Sequence, residues 1–229
     1  MRVQMPPWMS CGQCLRIMTI ALGSIVAAAL AGTPAAAADK PATVVALGDS
    51  LTAGLGLAAK DAFPARLQAA LAAKGIAATI ADAGVSGDTT SGGLARLDWS
   101  VPPGTDGVIL ELGANDALRG LDPKVPRAAL DAILQRLKAR GIPVLLCGML
   151  SPPNLGADYA RAFNAIYTDL AKSYDTLLYP FFLDGVVGNR RLVQGDGLHP
   201  TAAGVDVIVA KILPEVEALI ARVRAKQGR

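Results

Sequence analysis

Thr43-Val44-Val45-Ala46-Leu47-Gly48-Asp49-Ser50-Leu51 is the stretch that decides how this chain is read. Its first five residues form an unbroken apolar run rather than an alternating one, the pattern of a strand buried on both faces. A glycine, a carboxylate and a hydroxyl follow at once. Open parallel sheets bind their ligands just beyond the carboxyl ends of such strands.

Four more runs of the same kind follow: Ala78–Ala83, Gly107–Leu112, Pro143–Gly148 and Thr176–Phe181. Their starts lie roughly 30 to 35 residues apart, enough for a crossover helix and two loops in each interval. Apolar positions at three- and four-residue spacing predict helices over Phe63–Lys74, Pro126–Arg140 and Ala157–Ser173. A last helix is expected after Pro200, kinked or split by Pro214. No linker or composition break interrupts the stretch from 40 to 222. The pattern predicts one α/β domain, a three-layer α/β/α sandwich around a parallel sheet of about five strands.

Working back toward the N-terminus, Ile17–Ala38 contains no charge, and Arg2 and Arg16 precede it. An apolar segment giving way to small residues and ending Ala36-Ala37-Ala38 reads as a secretory signal peptide, residues 1–38, cut before Asp39. The mature domain would then be 39–229, in a periplasmic or secreted protein with no stable membrane insertion. An uncleaved anchor is the alternative, but Pro34 and the alanine-rich tail weaken that span. Cleavage removes Arg2 and Arg16, taking the formal net charge of +3 to +1, and it removes the Cys11–Cys14 pair. Cys147, within the fourth run, is expected to be a buried thiol.

Composition narrows the function. With 52% hydrophobic residues the chain is no disordered segment, and a net charge near zero gives no reason to expect a nucleic-acid partner. It holds a single histidine, His199, so a histidine-built metal site is excluded. No metal or other cofactor is expected.

Polar clusters stand where the strands end. Asp49-Ser50 follows the first, Ser86-Gly87-Asp88-Thr89 the second and Gly113-Ala114-Asn115-Asp116 the third; Asp196-Gly197-Leu198-His199-Pro200 lies before the last helix. Together they contain what acyl transfer needs. A serine hydroxyl needs a base, and His199 is the sole imidazole. Asp196, three residues earlier, can reach the far ring nitrogen and fix its tautomer. The N–H groups of Ser50 and Gly87 and the amide of Asn115 are available to an oxyanion. Taken singly, these residues could equally be caps and turns.

The blocks Val45–Gly54, Gly87–Thr89, Gly113–Asp116 and Asp196–Pro200 resemble those of the SGNH (GDSL-type) hydrolase family. Flanking stretches Thr90–Leu97, Glu111–Gly120 and Pro180–Val186 are similar to its bacterial periplasmic branch of arylesterases, acyl-CoA thioesterases and lysophospholipases. The resemblance covers roughly residues 42–222. It implies a flavodoxin-like fold, catalytic Ser50, His199 and Asp196, an oxyanion hole of Ser50, Gly87 and Asn115, and metal-independent hydrolysis of acyl or aryl esters, with thioesters and lysophospholipids as further substrates. In similar enzymes the loop after the fourth strand contacts the acyl chain, so Leu150, Pro152 and Leu155 are expected to line an apolar groove. The substrate would be a small-molecule or lipid ester, and the enzyme a monomer.

Three other functions compete with this one. Gly54-Leu55-Gly56-Leu57-Ala58-Ala59 fits a dinucleotide-binding turn, but it starts seven residues past Leu47, and Lys74 stands where the acid should be. A carbohydrate O-acetylesterase and a non-catalytic binding protein of the same fold are the remaining alternatives.

Overall fold

In a computed structural model, residues 40–228 are described. The proposed signal segment 1–38 and its Cys11–Cys14 pair lie outside the described residues. In chain order the elements are β1 (Ala42–Gly48), α1 (Ser50–Ala53), α2 (Phe63–Ala73), β2 (Ala78–Gly84), α3 (Thr90–Ala95), α4 (Leu97–Ser100), β3 (Gly107–Glu111), α5 (Ala114–Leu118), α6 (Lys124–Ala139), β4 (Val144–Cys147), α7 (Ala157–Tyr174), β5 (Leu177–Tyr179) and α8 (Ala202–Gln227).

All five strands are parallel and stand in the order β2-β1-β3-β4-β5. The chain runs outward from β1 to β2, then back across β1 to β3, β4 and β5. Right-handed crossovers put helices made on the outward leg and those made on the return leg on opposite faces. Accordingly α2 packs with α8, while α6 packs with α3 and α7. The reversal places β1 and β3 side by side with their following loops diverging, and a crevice opens there.

The centre of the sheet is as apolar as its sequence predicts. Every residue of β3 and β4 is buried, as are all of β1 but Thr43. Tyr167, Phe163, Phe63 and Phe182 fill the space above and below, the last two edge to face with centroids 5.1 Å apart. Cys147 is wholly buried, and that burial pushes its thiol pKa well up.

Two expectations need correcting. The five strands are not all covered on both faces. β2 is an edge strand with Thr79 and Asp82 exposed, and β5, at the other edge, shortens to three residues. An edge strand has one neighbour, and the flanking helices do not reach fully around it. Nor does Pro214 split the last helix: α8 runs unbroken through it for 26 residues. Proline removes one helical N–H bond, but Val205, Ile208, Val209 and Ile212 before it and Val216, Leu219, Ile220 and Val223 after it are all buried in one continuous stripe. Packing on both sides outweighs the local cost.

Candidate active site

Each polar cluster begins where its strand leaves the sheet. After β1, the Asp49 carboxylate accepts the Leu51 N–H at 2.9 Å and caps the single turn α1, whose first residue is Ser50. This turn lifts the Ser50 hydroxyl into the crevice while leaving the residue largely buried. The loop before α8 brings His199 to it. Ser50 Oγ and His199 Nε2 are 2.8 Å apart, and His199 Nδ1 and Asp196 Oδ2 are 2.6 Å apart. The other Asp196 oxygen accepts the N–H groups of Leu198 at 2.9 Å and His199 at 3.0 Å. These donors, with Leu198 N–H first and the imidazole next, hold the Asp196 carboxyl down at about 2. Asp196 is therefore an anion at every ordinary pH.

Sequence reasoning missed Gln194, which braces this loop. Its amide donates to the carbonyls of Leu55 and Pro200 at 2.7 and 2.9 Å, and its N–H donates to His199 O at 2.7 Å. The histidine loop is thereby fastened to the segment that follows Ser50.

Across the crevice, Gly87 and Gly113 adopt φ of +82° and +123°. Gly113 admits no side chain, since a Cβ there would stand 2.0 Å from the Tyr167 hydroxyl. At Gly87 the positive φ is one that favours glycine, and Arg119 donates to its carbonyl at 2.9 Å. Asn115 reaches the same place, but its amide is already engaged. Nδ2 donates to Asp49 Oδ2 at 3.1 Å and to Asp88 O at 2.9 Å. Asp116, beside it, accepts the Thr90 N–H and hydroxyl and ties α3 to the end of β3.

Behind Ser50 lie further groups that motif reading did not single out. Arg96 is buried. It donates to Asp88 Oδ2 at 2.6 Å and to the carbonyls of Ala83 and Gly48, both at 2.8 Å, so one guanidinium joins the ends of β1 and β2 to the Gly87 loop. Asp49 and Glu111 form a buried acid pair. Glu111 Oε2 accepts the Thr52 hydroxyl at 2.7 Å and a longer bond from the Asp49 N–H, whereas Oε1 has no partner among the described residues. Burial raises the Asp49 carboxyl to about 6. Burial, and then the Asp49 charge, raise that of Glu111 well above the carboxylate range. Burial disfavours charge on either carboxyl, and a charge on Asp49 disfavours one on Glu111 further. Asp49 has donors on both oxygens and Glu111 does not, so of the two Glu111 is the one pushed further toward its protonated form.

A cavity of about 410 Å³ opens beside Ser50 and Asn115, walled by Leu118, Met149, Leu150, Pro152, Phe181 and Leu198 among others. Of the three expected groove residues, Leu150 and Pro152 stand in its wall. Leu155 does not; it ends a short 3₁₀ turn, its side chain near Gly120.

A parallel α/β/α sandwich with a serine, a histidine and a carboxylate joined at the carboxyl edge of its sheet is the architecture of the SGNH esterases. The model of the GDSL-like lipase/acylhydrolase family matches residues 46–207, and the chain belongs to that family. It is 38% identical to the esterase TesA of Pseudomonas aeruginosa over 78% of this chain and 89% of that one. It is 42% identical to thioesterase 1/protease 1/lysophospholipase L1 of Escherichia coli K12, over 72% and 77%. The solved structure of AlinE4, an SGNH-hydrolase family esterase, superposes with a TM-score of 0.67 at 47% identity, covering 78% of this chain and 96% of that one. The chain is thus a carboxylic ester hydrolase.

Proposed function

We propose that Ser50 is the nucleophile, His199 its general base and Asp196 the orienting carboxylate of a hydrolase acting on apolar acyl or aryl esters. The unbroken hydrogen-bonded line from Ser50 Oγ through the imidazole to Asp196 is the observation that carries this reading. His199 Nε2 takes the Ser50 proton as Oγ attacks the ester carbonyl. The carbonyl π pair moves onto oxygen, and the tetrahedral intermediate collapses as His199 hands its proton to the leaving alcohol. Water then attacks the acyl-Ser50 ester with His199 again as base, releasing the carboxylic acid and restoring the hydroxyl.

The Ser50 and Gly87 N–H groups and the Asn115 amide stabilise the oxyanion. For Asn115 this means sharing or giving up one bond it makes at rest, and the longer one, to Asp49, is the one that yields. The apolar cavity favours an acyl chain over a sugar. Thioesters and lysophospholipids fit the same chemistry, since only the leaving group differs. Residues 1–38 act as an export signal, so the mature enzyme works in the periplasm or outside the cell, as a monomer.

The test is hydrolysis of p-nitrophenyl esters of increasing chain length by the parent and by Ser50→Ala. Turnover that peaks above acetyl and disappears in the variant supports the reading. Turnover confined to acetyl points to an O-acetylesterase, and turnover that survives Ser50→Ala removes the assignment.

A further inference from the structure

The ester chemistry leaves one distribution unaccounted for. Among the described residues eight large hydrophobic side chains are strongly exposed, and six of them stand at one end of the molecule. Leu55 follows β1, Val85 follows β2, Leu118 follows β3, Leu150 follows β4, Val187 follows β5, and Leu198 belongs to the His199 loop. Leu118, Leu150, Val187 and Leu198 edge the cavity mouth, yet they are 52, 46, 55 and 46% exposed. Residues that served only to line a pocket would bury more of their surface. Leu55 and Val85 are not in the cavity wall at all. Leu55 meets the histidine loop through Gln194, and the Val85 N–H donates to Gly48 O at the end of β1. An apolar ring of exposed side chains therefore reaches past the Ser50 cavity to other loops at the carboxyl edge of the sheet, Val85 also edging a separate groove beside Trp99.

The unpaired charges among these side chains are weighted toward the positive. Arg119 stands next to Leu118, and the exposed Arg190 and Arg191 follow Val187 on the same loop; none of the three has an acidic partner among the described residues. The acids of these loops are partly engaged. Asp88 is paired with Arg96 and Asp184 with Lys211, leaving Asp122, which accepts the Lys124 N–H, and Asp196, whose charge the neutral imidazole of His199 does not cancel. An apolar ring studded with unpaired arginines matches an anionic lipid surface, where leucines enter the headgroup layer and guanidiniums meet phosphates.

We propose that this end of the molecule docks on an anionic lipid–water interface. The Ser50 cavity then opens directly onto the lipid, and an amphiphilic ester slides in without crossing water. Substrate entry rests on the esterase reading; the docking itself does not.

The experiment is flotation of the full chain with vesicles of phosphatidylcholine alone, or of phosphatidylcholine and phosphatidylglycerol in equal amounts. Parent, Arg190→Glu/Arg191→Glu and Leu55→Asp are compared, so that residues outside the docking face contribute equally to all three. Each basic residue at an anionic surface is worth roughly fivefold in partitioning, so the double reversal should lower binding to the mixed vesicles by about 25-fold or more. Leu55→Asp should lower it too, and added salt should weaken the parent. Hydrolysis of a water-soluble short-chain ester should be unchanged in the double variant, which certifies its fold and active site. Equal binding to the two vesicle types, or indifference to the arginine reversal, overturns the proposal. So does a concentration-dependent dimer that leaves the protein unbound, for then a second copy covers the ring. Intact vesicle binding without ester turnover would count against the esterase reading and leave the docking standing.

Discussion

Ser50 Oγ and His199 Nε2 lie 2.8 Å apart although 149 residues separate them in the chain. One residue opens the turn after the first strand of the sheet, the other sits in the loop before its last helix. If the two act as one unit, their losses cannot add. Ser50→Ala and His199→Ala should each lower kcat on the order of 10⁴-fold or more, and the double variant should be hardly worse than either. Asp196→Asn should be clearly damaging but milder, because the imidazole survives with its tautomer unfixed. Steady-state kinetics on one ester decide this, and additive losses would break the unit.

Asn115→Ala should cost roughly 10²- to 10³-fold in kcat with little change in KM, the signature of a donor used only in the transition state. Because Asn115 is also bonded to Asp49 at rest, Asp49→Asn should alter the same rate constant. A variant that changes KM alone would mean the amide serves substrate binding instead.

The acid pair gives a prediction in pH. Glu111 has its carboxyl raised in the folded state, so its contribution to stability is complete below the ordinary carboxylate range and is lost as pH rises toward the raised value. Glu111→Gln keeps the shape and cannot ionise. Between about pH 5 and about pH 8 its Tm should therefore fall less than that of the parent. Thermal melts across that window measure it, and parallel curves would mean that Glu111 does not gain charge there.

Arg96→Ala should destabilise the protein by about 3–5 kcal/mol, since it strands the largely buried Asp88 and releases two strand ends. Arg96→Lys should recover little, because an ammonium cannot span Asp88, Ala83 and Gly48 together. Denaturant titration gives the number.

These residues also mark what a sequence makes legible. The layered parallel fold could be read because β1, β3 and β4 are buried on both faces and so appear as continuous apolar runs. β2 looked the same through its alanines, yet stands at an edge; small residues carry no signal of which side is covered. Pro214 does not split α8 because a local rule yielded to a long buried stripe. Of the groups that the structure brings together at the crevice, Ser50, Asp196, His199 and Asn115 are legible in motifs and in the sole histidine. Arg96, Glu111 and Gln194 are not, because their roles depend on carbonyls and carboxylates that come near only when the strands are assembled. Leu155 was placed in the groove from its loop, whereas the 3₁₀ turn carries its side chain toward Gly120.

The central claim is that Ser50 is the nucleophile activated by His199. A fluorophosphonate reports on it directly, because the serine oxygen displaces fluoride and the adduct stays on the residue. Peptide mass mapping should find one adduct, on Ser50, formed in step with loss of ester turnover and absent from His199→Ala. An adduct elsewhere, or full turnover by protein labelled at Ser50, would contradict the account.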